Sequence, residues 1–220
     1  MIDRWWHRWR PRPVPNSRRW VMIDVETTGL DPRRDALLCV AALAIDVHGP
    51  TPQIVAGDSF EVLIAQDVLR ATHDNILLHG IGWGQQKKGE PLTQALGALT
   101  AWVADSPLLA YHAAFDQAVL RQAYKQARLA QPDWQWLDMA DLLPAAYPAL
   151  AARSLDQWMQ QLDVRCVRRH QAIADVWATA QLFLKAWPSW QAQHLMSWKD
   201  LEQRAGQERW LRTSGSPQKS

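Results

Sequence analysis

The stretch VMIDVETTGLDP, residues 21–32, decides the fold and opens the question of function. Val21, Met22, Ile23 and Val25 make a short apolar run of the kind found in strands buried inside a sheet. Asp24 and Glu26 interrupt that run at i and i+2, so both carboxylates leave the strand on the same face. Two acids side by side in a buried strand are unfavourable unless something cationic neutralises them. The alternative is a pair of ordinary acids at a frayed strand end. Gly29 and Pro32 then punctuate a loop that ends near Asp35.

Working outward, residues 36–47 and 53–63 read as two more strands, joined by a hairpin turn at His48-Gly49-Pro50. The period then shifts. Leu92, Leu96, Leu99 and Val103 recur at helical spacing, which predicts a helix over 92–104. A short buried strand follows at 107–111, and then a helix carrying Phe115, Val119, Leu120 and Tyr124. A fifth strand is expected at 134–137 and helices over 139–147, 155–162 and 173–187, the middle one N-capped by Ser154. Three strands in hairpin connection, followed by alternating strands and helices, imply an α/β fold: a mixed five-stranded sheet flanked by helices.

The 220-residue, 25.1 kDa chain is 48% hydrophobic, enough for one domain with its own core. We expect that domain over residues 20–190, with a basic arm over 1–19 and a polar, partly disordered tail over 191–220. The net charge of +2 hides an asymmetry, because residues 1–20 hold six arginines against one aspartate. Four of the fourteen tryptophans (Trp5, Trp6, Trp9 and Trp20) fall in the same segment. Such an arm could grip a phosphate backbone, lie on a membrane surface or pack on the domain. The tryptophans at 102, 158 and 177 fall on helices and are expected in the core.

Cys39 and Cys166 have no metal-ligand spacing and read as two thiols in a reducing compartment. No apolar run approaches the roughly 20 residues that a membrane helix needs, so no membrane span and a cytoplasmic location are expected.

Two further acids sit in matching contexts. Asp116 follows LLAYHAAF at a junction between strand and helix, and Asp175 lies in HQAIAD at the start of the last helix, five residues after His170. Each alone could be a first-turn acid favoured by the helix dipole. Together with Asp24 and Glu26 they form a hard-oxygen donor set that suits Mg²⁺ or Mn²⁺ rather than zinc. Two such ions, with one histidine of near-neutral pKa, are the elements of phosphodiester hydrolysis.

In order and context, DVETTGLDP (24–32), HAAFD (112–116) and HQAIAD (170–175) resemble the three motifs of the DEDDh 3′–5′ exonucleases. That group includes the proofreading epsilon subunit of bacterial DNA polymerase III. The resemblance covers about residues 20–187 and extends to His79-Gly80-Ile81, Leu137-Asp138 and Ser154-Leu155. It implies a ribonuclease-H-like sheet, with two divalent cations held by Asp24, Glu26, Asp116 and Asp175 and with His170 as general base. It further implies that Thr27, Thr28, Gly29 and Leu30, with His112 and Phe115, line the substrate. Asp138 reads as a structural residue rather than a ligand, and Ala113 stands where the family usually carries asparagine.

The expected partner is therefore the 3′ end of a nucleic acid, DNA ahead of RNA. A proofreading or repair subunit docked to a polymerase complex is the second reading. A non-catalytic nucleic-acid-binding domain of the same fold is the third.

Overall fold

The computed structural model describes residues 18–66, 76–77 and 79–214. Strand β1 spans Arg19–Thr27, β2 Leu37–Asp46 and β3 Gln53–Leu63. A single turn of helix α1, Trp83–Gln86, precedes α2, Leu92–Val103. Then come β4 (Leu108–Ala110), α3 (Ala113–Ala127), β5 (Trp136–Asp138) and α4 (Met139–Ala146). Helices α5 (Leu155–Gln161), α6 (Ala172–Ala192) and α7 (Trp198–Ser214) complete the chain.

The sheet has five strands in the order β3-β2-β1-β4-β5. The hairpin strands pair antiparallel, whereas β4 and β5 join β1 in parallel. This is the mixed sheet expected from the alternation of strands and helices. Side chains of β1 alternate between two cores. Trp20 and Met22 pack with residues of α4, α5 and α6, whereas Val21, Ile23 and Val25 pack with α2 and α3. By the same two-residue period, Asp24 and Glu26 share the face of Trp20 and Met22, which is the face covered by α6. The acids are thus aimed before any tertiary contact is considered.

Trp20, where the expected domain begins, is buried in the core and meets Phe183, Trp187 and Trp198 ring to ring. The arm itself, residues 1–17, lies outside the described residues. The stretch after 191, read as a polar tail, contains the 17-residue helix α7. Ser197 starts it, its Oγ accepting the Asp200 N–H at 3.2 Å while Asp200 Oδ2 accepts the Ser197 N–H at 3.0 Å. Leu201 and Ala205 are fully buried, and burial of a leucine alone is worth about 2 kcal/mol. Arg209 pairs with the buried Asp141 of α4 at 2.9 Å, so α7 is tied to the domain at two points. Residues 215–220 are outside the described part.

Trp102 and Trp158 are buried and Trp177 packs against the core, as expected. Among the described residues, no helix is long and apolar enough to cross a membrane.

Candidate active site

Three of the four predicted acids meet. Carboxylate oxygens of Asp24, Glu26 and Asp175 lie within 4.8 Å of one another, the first two half-buried and the third buried. Asp24 and Glu26 come from the end of β1, where the register shifts between Glu26 and Thr27. Such a bulge turns the strand end and re-aims its side chains. Asp175 comes from the first turn of α6, the helix covering that face of the sheet.

Asp116 stands outside this group of three. It belongs to the first turn of α3, on the opposite layer of the sheet, and feels the charge of Asp24. It is buried, and burial raises its pKa well above the ordinary value, with the charge of Asp24 adding to the rise. Its own N–H and that of Val25 bond to it and partly offset this.

Crowding shows in the other acids as well. Burial pushes Asp24 up to about 8, with Asp175 adding to the rise and Arg169 opposing it. Glu26 is pushed up to about 9, first by burial and then by Asp24 and Asp175. Carboxylates in this condition are held together at a cost that a bound cation removes. The donor set is all hard oxygen and lies at the carboxyl ends of the parallel strands β1 and β4. It therefore fits Mg²⁺ or Mn²⁺.

Both motif histidines adopt left-handed backbone, φ 64° at His112 and φ 61° at His170. That conformation is uncommon for a residue with a side chain and persists where neighbours over-determine it. At His112 the determinant is Asp138, whose Oδ1 accepts the His112 N–H at 2.9 Å and also caps α4 through the Ala140 N–H at 2.9 Å. At His170 it is Asp175, whose Oδ2 accepts the His170 N–H at 3.1 Å. His170 is thus anchored to the cluster by its backbone. His112 is exposed and rests edge-on against Tyr111, while Phe115 is half-buried on the α3 side. Ala113 is buried in the same core and offers packing without a hydrogen-bonding group.

The Thr27–Leu30 loop is closed by its own contacts. Thr27 Oγ1 donates to the Gly29 carbonyl at 2.5 Å. Thr28 bonds Asp35 through Oγ1 at 3.2 Å and Ala36 through backbone N–H at 3.0 Å. Asp35 also accepts the Asp31 N–H at 2.8 Å. A Cβ at position 29 would fall 2.5 Å from the Asp35 carboxylate, which explains the glycine. Leu30 is left 89% exposed at the tip.

Some participants escaped the sequence reading. Arg169 contacts Asp175 and donates from Nε to Asp156 Oδ1 at 2.5 Å. The cysteines, which looked unrelated, both flank the acids: Cys39 is the cross-strand partner of Glu26, and Cys166 Sγ lies 3.5 Å from Asp175 Oδ1. Burial, helped by Glu61, Glu26 and Asp24, raises the Cys39 thiol far above its ordinary value, so it stays protonated. Beside Glu26 opens a cavity of about 390 Å³ lined by Cys39, Glu61, His79, Lys88 and Gln171 among others. The position of Cys39 opposite Glu26 follows from the hairpin register and was in principle available from the sequence. The reach of Arg169 was not.

Known proteins carry the same framework. The DinG 3′-5′ exonuclease of Bacillus subtilis is 25% identical over 175 residues, covering 77% of this chain and 18% of that protein. The PolC-type DNA polymerase III of Thermotoga maritima is 30% identical over 170 residues, 76% of this chain. The match spans only 12% of that polymerase's length. Among solved structures, Escherichia coli Exonuclease I in complex with a dT13 oligonucleotide superposes with a TM-score of 0.69 at 19% identity, over 80% of this chain and 42% of that one. The nuclease domain of 3′hExo, a DEDDh family member bound to rAMP, superposes with a TM-score of 0.66 at 17% identity, over 76% and 90% of the two chains. The RNase T exonuclease family model matches residues 21–183, most of the chain, and the chain belongs to that family.

Proposed function

We propose that the chain is a metal-dependent 3′–5′ exonuclease that hydrolyses the terminal phosphodiester bond of a DNA strand, or of RNA, and releases nucleoside 5′-monophosphates. The observation that carries this reading is the acid cluster, with Asp24, Glu26 and Asp175 within 4.8 Å of one another and Asp116 at its edge. Asp24, Glu26, Asp116 and Asp175 would hold two divalent cations, Mg²⁺ or Mn²⁺. Bound there, such a pair supplies Lewis-acid activation of water and neutralises charge on the departing 3′ oxygen.

The remaining work belongs to side chains. His170, tethered through its N–H to Asp175, takes the proton of the attacking water as the new P–O bond forms and the bond to the 3′ oxygen breaks. Thr27, Thr28 and Gly29 form a rigid lip for the terminal nucleotide, and Leu30 offers its base an apolar contact. His112, at the N-cap of α3, and Phe115, in its first turn, would line the substrate from that helix. The cavity beside Glu26 is of a size that accommodates a nucleoside. DNA stands first as substrate because PolC-type relatives are DNA polymerases and Exonuclease I was captured with a DNA oligonucleotide.

A gel assay tests the reading. Purified protein with Mg²⁺ or Mn²⁺ should shorten 5′-labelled single-stranded DNA stepwise from its 3′ end, and EDTA or Asp24→Ala should stop it. Uncleaved but retained substrate would favour a binding domain instead. The PolC-type relatives support a second reading, a proofreading or repair module in a polymerase complex. Retention of this chain on purified polymerase would support that reading.

A further inference from the structure

Asp175 presents two oxygens, and both are engaged. Oδ1 faces the Cys166 thiol at 3.5 Å. Oδ2 accepts the His170 N–H at 3.1 Å and contacts a guanidinium nitrogen of Arg169. Oδ2 is thus the Asp175 oxygen pressed by a cation, and a divalent ion approaching it meets the guanidinium charge. For Oδ2 to become a ligand, the guanidinium must yield. The His170 N–H is fixed by its backbone; Arg169 is not, because it carries a long side chain and has a second seat.

That seat is Asp156. It lies in the first turn of α5 with its side chain 63% exposed, while Asp175 is 8% exposed and Arg169, between them, 26%. Arg169 therefore bridges a buried acid of the cluster and an anchor at the surface. Of the ion pairs among the described residues, this is the one that reaches a cluster acid. Its charge also acts on Asp24 and Glu26, opposing the rise that burial imposes on each. The guanidinium thus supplies part of the neutralisation that a divalent ion would supply.

We propose that Arg169 is a hinged counter-cation of the cluster, competing with divalent ions for Asp175 and withdrawing onto Asp156 when they bind. The inference rests on the metal-binding reading above and adds to it a regulating residue. Metal uptake then has a built-in opponent: ions must displace an intramolecular cation, and Asp156 lowers the cost by receiving it. A like-charged pair at contact distance is too repulsive for both cations to share Oδ2.

The test is a Mn²⁺ titration of the chelator-treated full chain, followed by the paramagnetic resonance of free Mn²⁺. Wild type, Arg169→Gln, Asp156→Asn and the double variant are compared, with Asp24→Asn as the control that locates the site. Arg169→Gln should bind Mn²⁺ roughly fivefold more tightly, the scale of a partly exposed ion pair. Asp156→Asn removes the receiving seat and should weaken binding, but should change little once Arg169 is already glutamine. Unchanged or weaker binding in folded Arg169→Gln overturns the proposal. If that variant does not fold, Asp156→Asn decides: weaker binding supports the hinge, and equal or tighter binding overturns it. Folded wild type that binds no Mn²⁺ removes the metal reading itself, and this proposal with it. That result is distinct from wild-type binding that Arg169→Gln leaves unchanged.

Discussion

On one side of the acid cluster, the chain from Thr27 to Ala36 is held by short-range hydrogen bonds among its own residues, with Asp35 accepting from Thr28 and Asp31 while the Gly29 carbonyl and Thr28 Oγ1 accept the others. On the other side, the chain from Asp156 to Asp175 is held by charge: Arg169 joins Asp156 to Asp175, and both acids come from first turns of helices. The first wall is a shaped edge. It presents Leu30 and crowds any Cβ at Gly29 against Asp35, and its ion pair, Arg34 with Asp31, stays within the loop rather than reaching a cluster acid. The second is an electrostatic frame whose geometry depends on which cation Asp175 holds. A nuclease site needs both properties, and here they are separated. Substitutions in the first wall should change how substrate fits, and those in the second should change metal binding and proton transfer.

The largest effect should follow removal of an acid shared by both walls. Asp24→Asn is expected to abolish cleavage and Mn²⁺ binding. It should also raise the melting temperature of chelated protein, because a crowded charge is gone. A lowered melting temperature would show that Asp24 stabilises the fold directly.

The pH dependence carries the same sign. Asp24 and Glu26 are pushed up to about 8 and about 9 in the folded chain, above their ordinary values of 3.8 and 4.5. Between roughly pH 4 and pH 8 the folded state therefore holds protons that the unfolded state has shed. Chelated protein should lose stability as pH rises through that window, and Asp24→Asn should flatten the slope. Calorimetry across pH 5 to 9 checks this. Metal affinity should rise over the same range, because the ligands bind deprotonated.

Next in size is His170→Ala, on the charged wall. Loss of a general base lowers kcat by roughly 10²–10⁴-fold. KM should stay within a few-fold, since nothing that grips substrate is removed. A main effect on KM would instead make His170 a binding residue, and would break the division between the walls.

What the sequence disclosed, and what it withheld, follows a similar division. Asp24 and Glu26 were legible because strand periodicity puts i and i+2 on one face, and the alternation of β1 then identified that face as the one α6 covers. Asp175 and Ser154 were legible as residues at helix starts. Arg169 was not, because its two partners lie 13 residues back and six residues ahead, and its contact with them needs α5 and α6 to be docked. Asp116 was named but not its offset from the other acids, which arises from its origin in the opposite layer. Helix α7 was missed because, among its described side chains, only Leu201 and Ala205 are buried, too sparse a stripe for the apolar period to register. The Ser197–Asp200 cap was the available signal.

On the shaped wall the effects should be smaller. Gly29→Ala drives a methyl against an Asp35 carboxylate that Thr28 and Asp31 already hold. Displacing that carboxylate forfeits one or two hydrogen bonds, about 1–2 kcal/mol of stability, measurable by urea denaturation. The metal affinity should be unchanged.

Leu30→Ala is the most discriminating of the small effects. With 89% of the residue exposed, its truncation should leave stability within about 0.5 kcal/mol of wild type. A leucine held at the tip of an internally braced loop loses little packing when shortened, so whatever changes in activity must come from a partner outside the chain. If that partner is the base of the terminal nucleotide, KM should rise by up to about tenfold while kcat and Mn²⁺ affinity hold. Kinetics identical to wild type would mean that the loop guards the site without touching substrate. The first wall would then act only through Gly29 and the threonines, and the recognition of the 3′ end would have to come from the α3 side, through His112 and Phe115.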